Sequence, residues 1–121
     1  MPISMLLVED EPMIQAVLYE VLVDEGYEVA TVWNGAEALG WMKQRCPDVI
    51  LSDIMMPVLD GIALCAQVHA NPTTCHVPII LMSAQVQPLI PEVCRVHAFL
   101  AKPFTLDQVI RTVASVVATS Y

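Results

Sequence analysis

Asp53 has the clearest setting for chemistry in this sequence. It closes the apolar run Val49–Ser52, and a short loop with Pro57 and then Asp60-Gly61 follows it. Such a run is typical of a buried strand that delivers one acidic side chain to the carboxyl edge of a sheet. Open α/β sheets bind their ligands at that edge. We therefore expect Asp53 to lie at the centre of a functional site.

Polar residues follow three other apolar runs in the same way. Glu9-Asp10 follow the first run, Ser83 ends the fourth, and Lys102 follows the fifth. If the first and third runs are neighbouring parallel strands, the carboxylates of Glu9, Asp10 and Asp53 fall close together. Two like charges about 5 Å apart repel by roughly 3 kcal/mol at an effective dielectric of 20. Such a group needs a cation or raised pKa values.

Mg²⁺ satisfies this need, because it commonly binds one or two carboxylates, waters and a substrate phosphate. Asp53 would then be a carboxylate nucleophile that forms an aspartyl phosphate. Lys102 would place a positive charge on the phosphoryl oxygens, and Ser83 would donate its hydroxyl to them. Each residue alone has an ordinary explanation, such as a solvated lysine or acids that favour a helix N-terminus. Their occurrence at successive strand ends favours one shared site.

Alternating strands and helices position these residues. Continuous apolar runs predict buried strands, and the predicted strands are Met5–Val8, Glu28–Thr31, Val49–Ser52, Ile79–Ser83 and Ala98–Ala101. Helices are predicted from Pro12 to near Gly26, from the capping-box spacing Asn34/Glu37, after Gly61, and from Thr105/Gln108. Such alternation implies an α/β fold, a doubly wound parallel sheet with helices on both faces.

Composition restricts the class of protein. At 121 residues we expect a single domain, and a net charge of −8 without a basic stripe argues against direct nucleic-acid binding. Although 56% of the residues are hydrophobic, no apolar run approaches the roughly 18–20 residues of a membrane span. The N-terminus lacks the basic region of a signal peptide. We expect a cytoplasmic protein without membrane contact.

Four segments resemble the receiver domain of two-component response regulators, the CheY-like superfamily, and the likeness runs nearly end to end. The segments are Leu6–Pro12 with its acidic pair, Asp53–Gly61 around the phosphorylated aspartate, Pro78–Ala84 with the switch serine, and Lys102–Phe104. The resemblance implies one receiver domain over residues 1–121, with a flavodoxin-like five-stranded sheet in the order 2-1-3-4-5.

The resemblance also implies a function and a set of site residues. A histidine kinase or histidine phosphotransfer protein would phosphorylate Asp53, and the receiver would signal through a conformational switch to protein partners. Asp10 and Asp53 would bind Mg²⁺ through their side chains, Met55 through its backbone carbonyl, and Glu9 through a water. Lys102 would contact the phosphoryl group, and its peptide bond to Pro103 is a candidate for the cis form.

The switch residues implied by the resemblance are Ser83 and Phe99. The interval between Ser83 and Lys102 is shorter than is usual in the family and contains two prolines. We therefore expect the fourth of five helical segments, at Pro91–Val96, to be short or irregular. The family's usual output face is not carried over to this segment, and the downstream partner is left open.

Two other functional classes are compatible with the same residues. One is a Mg²⁺-dependent phosphatase or phosphotransferase with an aspartyl nucleophile. Met55 argues against it, because the common phosphatase pattern has a second aspartate at this position. The other is a receiver-shaped interaction module that is not phosphorylated, which the intact acids, Ser83 and Lys102 disfavour. We expect a phosphoacceptor rather than an enzyme.

Overall fold

A parallel five-stranded sheet forms the centre of the molecule. The computed structural model describes residues 2–84 and 95–120. Its strands are β1 (Ser4–Val8), β2 (Glu28–Val32), β3 (Val49–Asp53), β4 (Ile79–Ser83) and β5 (Ala98–Ala101). Its helices are α1 (Pro12–Asp24), α2 (Gly35–Met42), α3 (Gly61–Ala70) and α4 (Leu106–Ser120). The strand order β2-β1-β3-β4-β5 confirms the predicted flavodoxin-like sheet.

The register brings the carboxyl ends of the strands together. In β1, Met5 pairs with Val49 of β3, and in β3, Ile50 pairs with Ile79 of β4. Strands β3 and β4 are buried along their whole length. This burial on both faces explains their uninterrupted apolar sequences. The outer strands β2 and β5 are only partly buried.

Helices cover both faces of the sheet, and each face has its own core. On one face, side chains of α1 and α4, such as Leu18 and Val113, pack against the sheet. On the other face, side chains of α2 and α3, such as Ala38 and Leu64, do the same. The sheet is therefore covered by helices on both of its faces.

The capping residues predicted from the sequence form hydrogen bonds at the starts of α2 and α4. Asn34 Oδ1 accepts the Glu37 N–H at 2.9 Å at the start of α2. Thr105 and Gln108 bond reciprocally before α4, at 2.8 and 3.1 Å. At α2, Glu37 Oε1 accepts the N–H of Trp33 at 2.6 Å. The glutamate thus bonds the residue before the cap instead of the cap itself.

Two sequence predictions have different outcomes. Strand β3 extends to Asp53, one residue beyond the predicted end, because the next N–H, of Ile54, still bonds the Met82 carbonyl of β4 at 2.9 Å. The short or irregular helix predicted at Pro91–Val96 falls mostly within residues 85–94, outside the described residues. In the part of the chain that is described, no helix has the length and apolarity that a membrane crossing requires.

Candidate functional site

Four strand ends converge at one edge of the sheet. Asp53 ends β3, Ser83 ends β4, Glu9 directly follows β1, and Lys102 directly follows β5. The backbone N–H of Lys102 bonds the Ser83 carbonyl at 2.8 Å, which fixes the end of β5 beside β4. The structure therefore brings together the residues that the sequence placed at this edge.

Lys102 bridges two buried carboxylates. Its Nζ lies 2.9 Å from Asp53 Oδ2 and 3.3 Å from Glu9 Oε1. Partial burial alone would lower the pKa of Lys102, but hydrogen bonding and attraction from Asp53, and then from Glu9, raise it overall. Lys102 is therefore firmly cationic at neutral pH.

One lysine does not balance the three acids around it. Oxygens of Glu9, Asp10 and Asp53 lie within 4.8 Å of one another, with Asp10 exposed to solvent. Burial, followed by repulsion from Asp53, raises the pKa of Glu9 to about 7, although the Glu11 N–H and Lys102 act to lower it. A site with this excess of negative charge and three oxygen donors fits a hard divalent cation such as Mg²⁺.

Gln15 supports the site and was not predicted from the sequence. Its Nε2 donates to the carbonyls of Glu9 and Val32, at 3.1 Å each, and so ties the ends of β1 and β2 together. Gln15 is one of three buried residues on α1, with Leu18 and Leu22. The i, i+3, i+7 spacing of these residues could have identified Gln15 from the sequence, because it puts a polar amide on the apolar face of the helix.

Two glycines that pack directly against neighbouring backbone anchor the loop after Asp53. At Gly61, whose N–H bonds the Ile54 carbonyl at 2.9 Å, a Cβ would overlap the Asp53 carbonyl oxygen. At Gly35, whose N–H bonds the Leu59 carbonyl at 3.0 Å, a Cβ would lie 2.6 Å from that oxygen. The chain between these anchors cannot shift without breaking one of them.

Between the anchors, the loop exposes two apolar side chains. Met55 directs its N–H to Asp53 Oδ1 at 3.3 Å, and its side chain is 65% exposed. Val58 is 82% exposed and has a positive φ of 70°. Met55 therefore lies beside the candidate nucleophile, and the role of its carbonyl as a metal ligand, which the family resemblance implies, stays a prediction.

The remaining predicted residues occupy the expected elements. Ser83 is fully buried at the end of β4, and Phe99 on β5 is partly buried against the α2–α3 side of the sheet. The peptide bond between Lys102 and Pro103 is cis, as predicted. The positions of Ser83 and Phe99 are compatible with the switch that the resemblance implies, and their movement stays a prediction.

Comparison with known proteins agrees with this geometry. Residues 5–114 match the family model of the response regulator receiver domain. The response regulator PleD of Caulobacter vibrioides is 38% identical over 84 residues, which are 69% of this chain and 18% of PleD. The response regulator MprA of a Mycobacterium species is 32% identical over 114 residues, 91% of this chain and 48% of MprA. The chain thus spans half or less of the length of these relatives.

Solved structures show the same architecture. The crystal structure of a protein from Chloroflexus aurantiacus, described as a response regulator, superposes on this chain with a TM-score of 0.89. The two sequences are 30% identical, and the match covers 98% of this chain and 99% of the other. The receiver domain of the sensor histidine kinase PA1611 from Pseudomonas aeruginosa has a TM-score of 0.88 at 30% identity, with 98% and 99% covered. That structure contains a magnesium ion coordinated in its active-site cleft.

Proposed function

The chain belongs to the response regulator receiver domain family, and from this membership we propose that Asp53 accepts a phosphoryl group from a histidine kinase or a histidine phosphotransfer protein. The observation that carries the proposal is the 2.9 Å contact between Lys102 Nζ and Asp53 Oδ2 at an edge that gathers three carboxylates. A nucleophilic carboxylate and a fixed cation for the incoming phosphoryl oxygens are the two groups that the transfer requires.

Asp10 and Asp53 are proposed to hold Mg²⁺ through their side chains, Met55 through its backbone carbonyl, and Glu9 through a water. When bound, the ion would neutralise charge on the phosphoryl oxygens and relieve the repulsion among the acids. Burial is the main cause of the raised pKa of Glu9, and the second cause, repulsion from Asp53, supports this assignment because a cation would relieve it.

In the transfer, a carboxylate oxygen of Asp53 attacks phosphorus while the P–N bond of the donor phosphohistidine breaks. The electron pair of that bond returns to the imidazole nitrogen, and a P–O bond to Asp53 forms. Lys102 then attracts the phosphoryl oxygens in place of its contact with the free carboxylate. Ser83 donates its hydroxyl to the same group, and its movement with Phe99 is proposed to carry the switch to a protein partner.

The donor protein is proposed to bind in an apolar groove beside the site. The groove has a volume of about 610 Å³ and lies between α1 and the start of α4, next to Lys102. Met13 and Leu106 line it and are 78% and 42% exposed. A helix with an apolar face suits such a groove. We also propose that the protein is cytoplasmic and that it does not turn over external substrates.

Labelling with a small phosphodonor and Mg²⁺ tests the proposal. Wild-type protein should be labelled to about one phosphoryl group per chain, and Asp53→Asn should not be labelled. Asp60→Asn is the matched control, because asparagine also caps a helix and can replace the Asp60 bond to Ala63 N–H. Full labelling of Asp53→Asn would disprove the assignment. Steady release of phosphate from unrelated phosphomonoesters would favour the enzymatic alternative.

A further inference from the structure

Gln15 holds the peptide bond that joins Glu9 and Asp10, the two acids after β1. From a buried position on α1, its Nε2 donates to the Glu9 carbonyl at 3.1 Å. Because a peptide unit is planar, holding this carbonyl oxygen fixes the plane between the Cα atoms of Glu9 and Asp10. The directions in which both acidic side chains leave the backbone therefore depend on one glutamine amide.

Asp10 depends on this backbone more than Glu9 does. The Glu9 carboxylate is buried and contacts Lys102 Nζ at 3.3 Å and the Glu11 N–H at 3.2 Å. Asp10 is exposed, and its carboxylate receives no hydrogen bond from residues 2–84 or 95–120. The position of the Asp10 carboxylate relative to Asp53 is therefore set by its own backbone, which the glutamine amide holds.

The second bond of the same amide reaches the other half of the site. Gln15 Nε2 also donates to the Val32 carbonyl at 3.1 Å, and this carbonyl accepts the Glu9 N–H at 3.2 Å as well. Val32 ends β2, and three residues later the Gly35 N–H bonds the Leu59 carbonyl at 3.0 Å. One amide thus joins the segment after β1 to the strand end that anchors the loop after β3.

A neutral amide suits this position chemically. The NH₂ group of a glutamine supplies two hydrogen-bond donors from one atom and adds no charge. The opposite orientation of the Gln15 amide would set Oε1 against two carbonyl oxygens, so these neighbours define which end faces them. A lysine or arginine could also donate twice, but its positive charge would compete with a cation for the nearby carboxylates.

We propose that Gln15 is a positioning residue for the metal site, and that its two bonds set the affinity for Mg²⁺ without contact with the ion. The inference rests on the proposed function, because it takes the carboxylates of Asp10 and Asp53 as metal ligands. Groups that orient metal ligands through hydrogen bonds change metal affinity by roughly 10–100-fold when they are removed. Since Gln15 acts through the backbone, we expect the lower end of this range, about tenfold.

Gln15→Met tests the proposal, because methionine keeps an unbranched side chain but has no donor. Titration with MgCl₂ in the absence of a phosphodonor, followed by tryptophan fluorescence, measures the metal dissociation constant. Trp33 directly follows Val32 and is 45% exposed, so it reports on the strand end that Gln15 holds. The dissociation constant should rise about tenfold in Gln15→Met.

The rate of labelling with the small phosphodonor gives a second measurement. In Gln15→Met, the Mg²⁺ concentration that gives half the maximal rate should rise by the same factor of about ten. The rate at saturating Mg²⁺ should stay within about twofold of the wild type, because Asp53 and Lys102 are unchanged. A loss of folded protein alone would instead lower the saturating rate and leave the half-saturating concentration unchanged.

Two further variants separate positioning from lost stability. Gln67→Met is the matched control at an exposed position of α3 and should keep the wild-type dissociation constant. Val117→Ala removes buried methyl groups beside Ile3 and Ser4, at the opposite edge of the sheet, so it should lower stability without changing the dissociation constant.

A wild-type dissociation constant in Gln15→Met, or an equal rise in Val117→Ala, would overturn this inference and leave the phosphorylation of Asp53 standing. A wild-type protein that neither binds Mg²⁺ nor accepts the label would overturn the proposed function together with the inference that rests on it.

Discussion

Replacing Val58 by glycine should stabilise the protein, although it removes a side chain. Val58 has a φ of 70°, and the N–H of Leu59 bonds the Pro57 carbonyl at 2.8 Å across it. A bond from residue i+2 to residue i around a positive φ is a strained γ-turn. The left-handed region costs a residue with a Cβ roughly 1–2 kcal/mol, and branching at the β carbon adds to that.

The net magnitude follows from the exposure of Val58. Because its side chain is 82% exposed, the substitution gives up little apolar burial. Glycine loses about 0.5–1 kcal/mol more backbone entropy on folding than a residue with a side chain, which offsets part of the relieved strain. We expect Val58→Gly to raise the free energy of unfolding by about 0.5–1 kcal/mol, which corresponds to a rise of a few degrees in Tm.

Urea and thermal unfolding in metal-free buffer would measure this gain. Val58→Ala is the control that keeps the Cβ and most of the strain, so it should lie within about 0.5 kcal/mol of the wild type. A Val58→Gly protein no more stable than Val58→Ala would refute the attribution of strain to this backbone.

Two further predictions concern the residues beneath the site. Gln15→Leu should lower the free energy of unfolding by about 1–3 kcal/mol in urea, because it removes the side-chain donor to the carbonyls of Glu9 and Val32. The control Gln67→Leu, at an exposed position of α3, should change the free energy of unfolding little. Glu9→Gln should flatten the pH dependence measured in EDTA. The free energy of unfolding of the wild type should fall by on the order of 3 kcal/mol as the pH rises from 4.5 through about 7. In this range Glu9 keeps its proton in the folded state, whereas it has lost the proton in the unfolded state. An equal pH slope in Glu9→Gln would contradict this assignment.

The fold was predictable because its signals are local and repeated. Strands β1, β3, β4 and β5 each contain a run of three or four apolar residues, and the capping pairs at Asn34 and Thr105 mark helix starts. The convergence of Asp53 and Lys102 also followed from the sequence, because parallel strands bring their carboxyl ends to one edge. Strand order, in contrast, depends on long-range packing and came from the resemblance to a family.

Gln15 and Val58 were not predicted because their roles depend on the folded backbone around them. Gln15 resembles any polar helix residue until its amide meets two strand-end carbonyls. The sequence thus identifies the groups that would do the chemistry. The contacts that hold those groups in place become visible only in the folded structure. For this reason substitutions at Gln15 and Val58 test how the site is supported, and they leave every proposed phosphoryl and metal ligand unchanged.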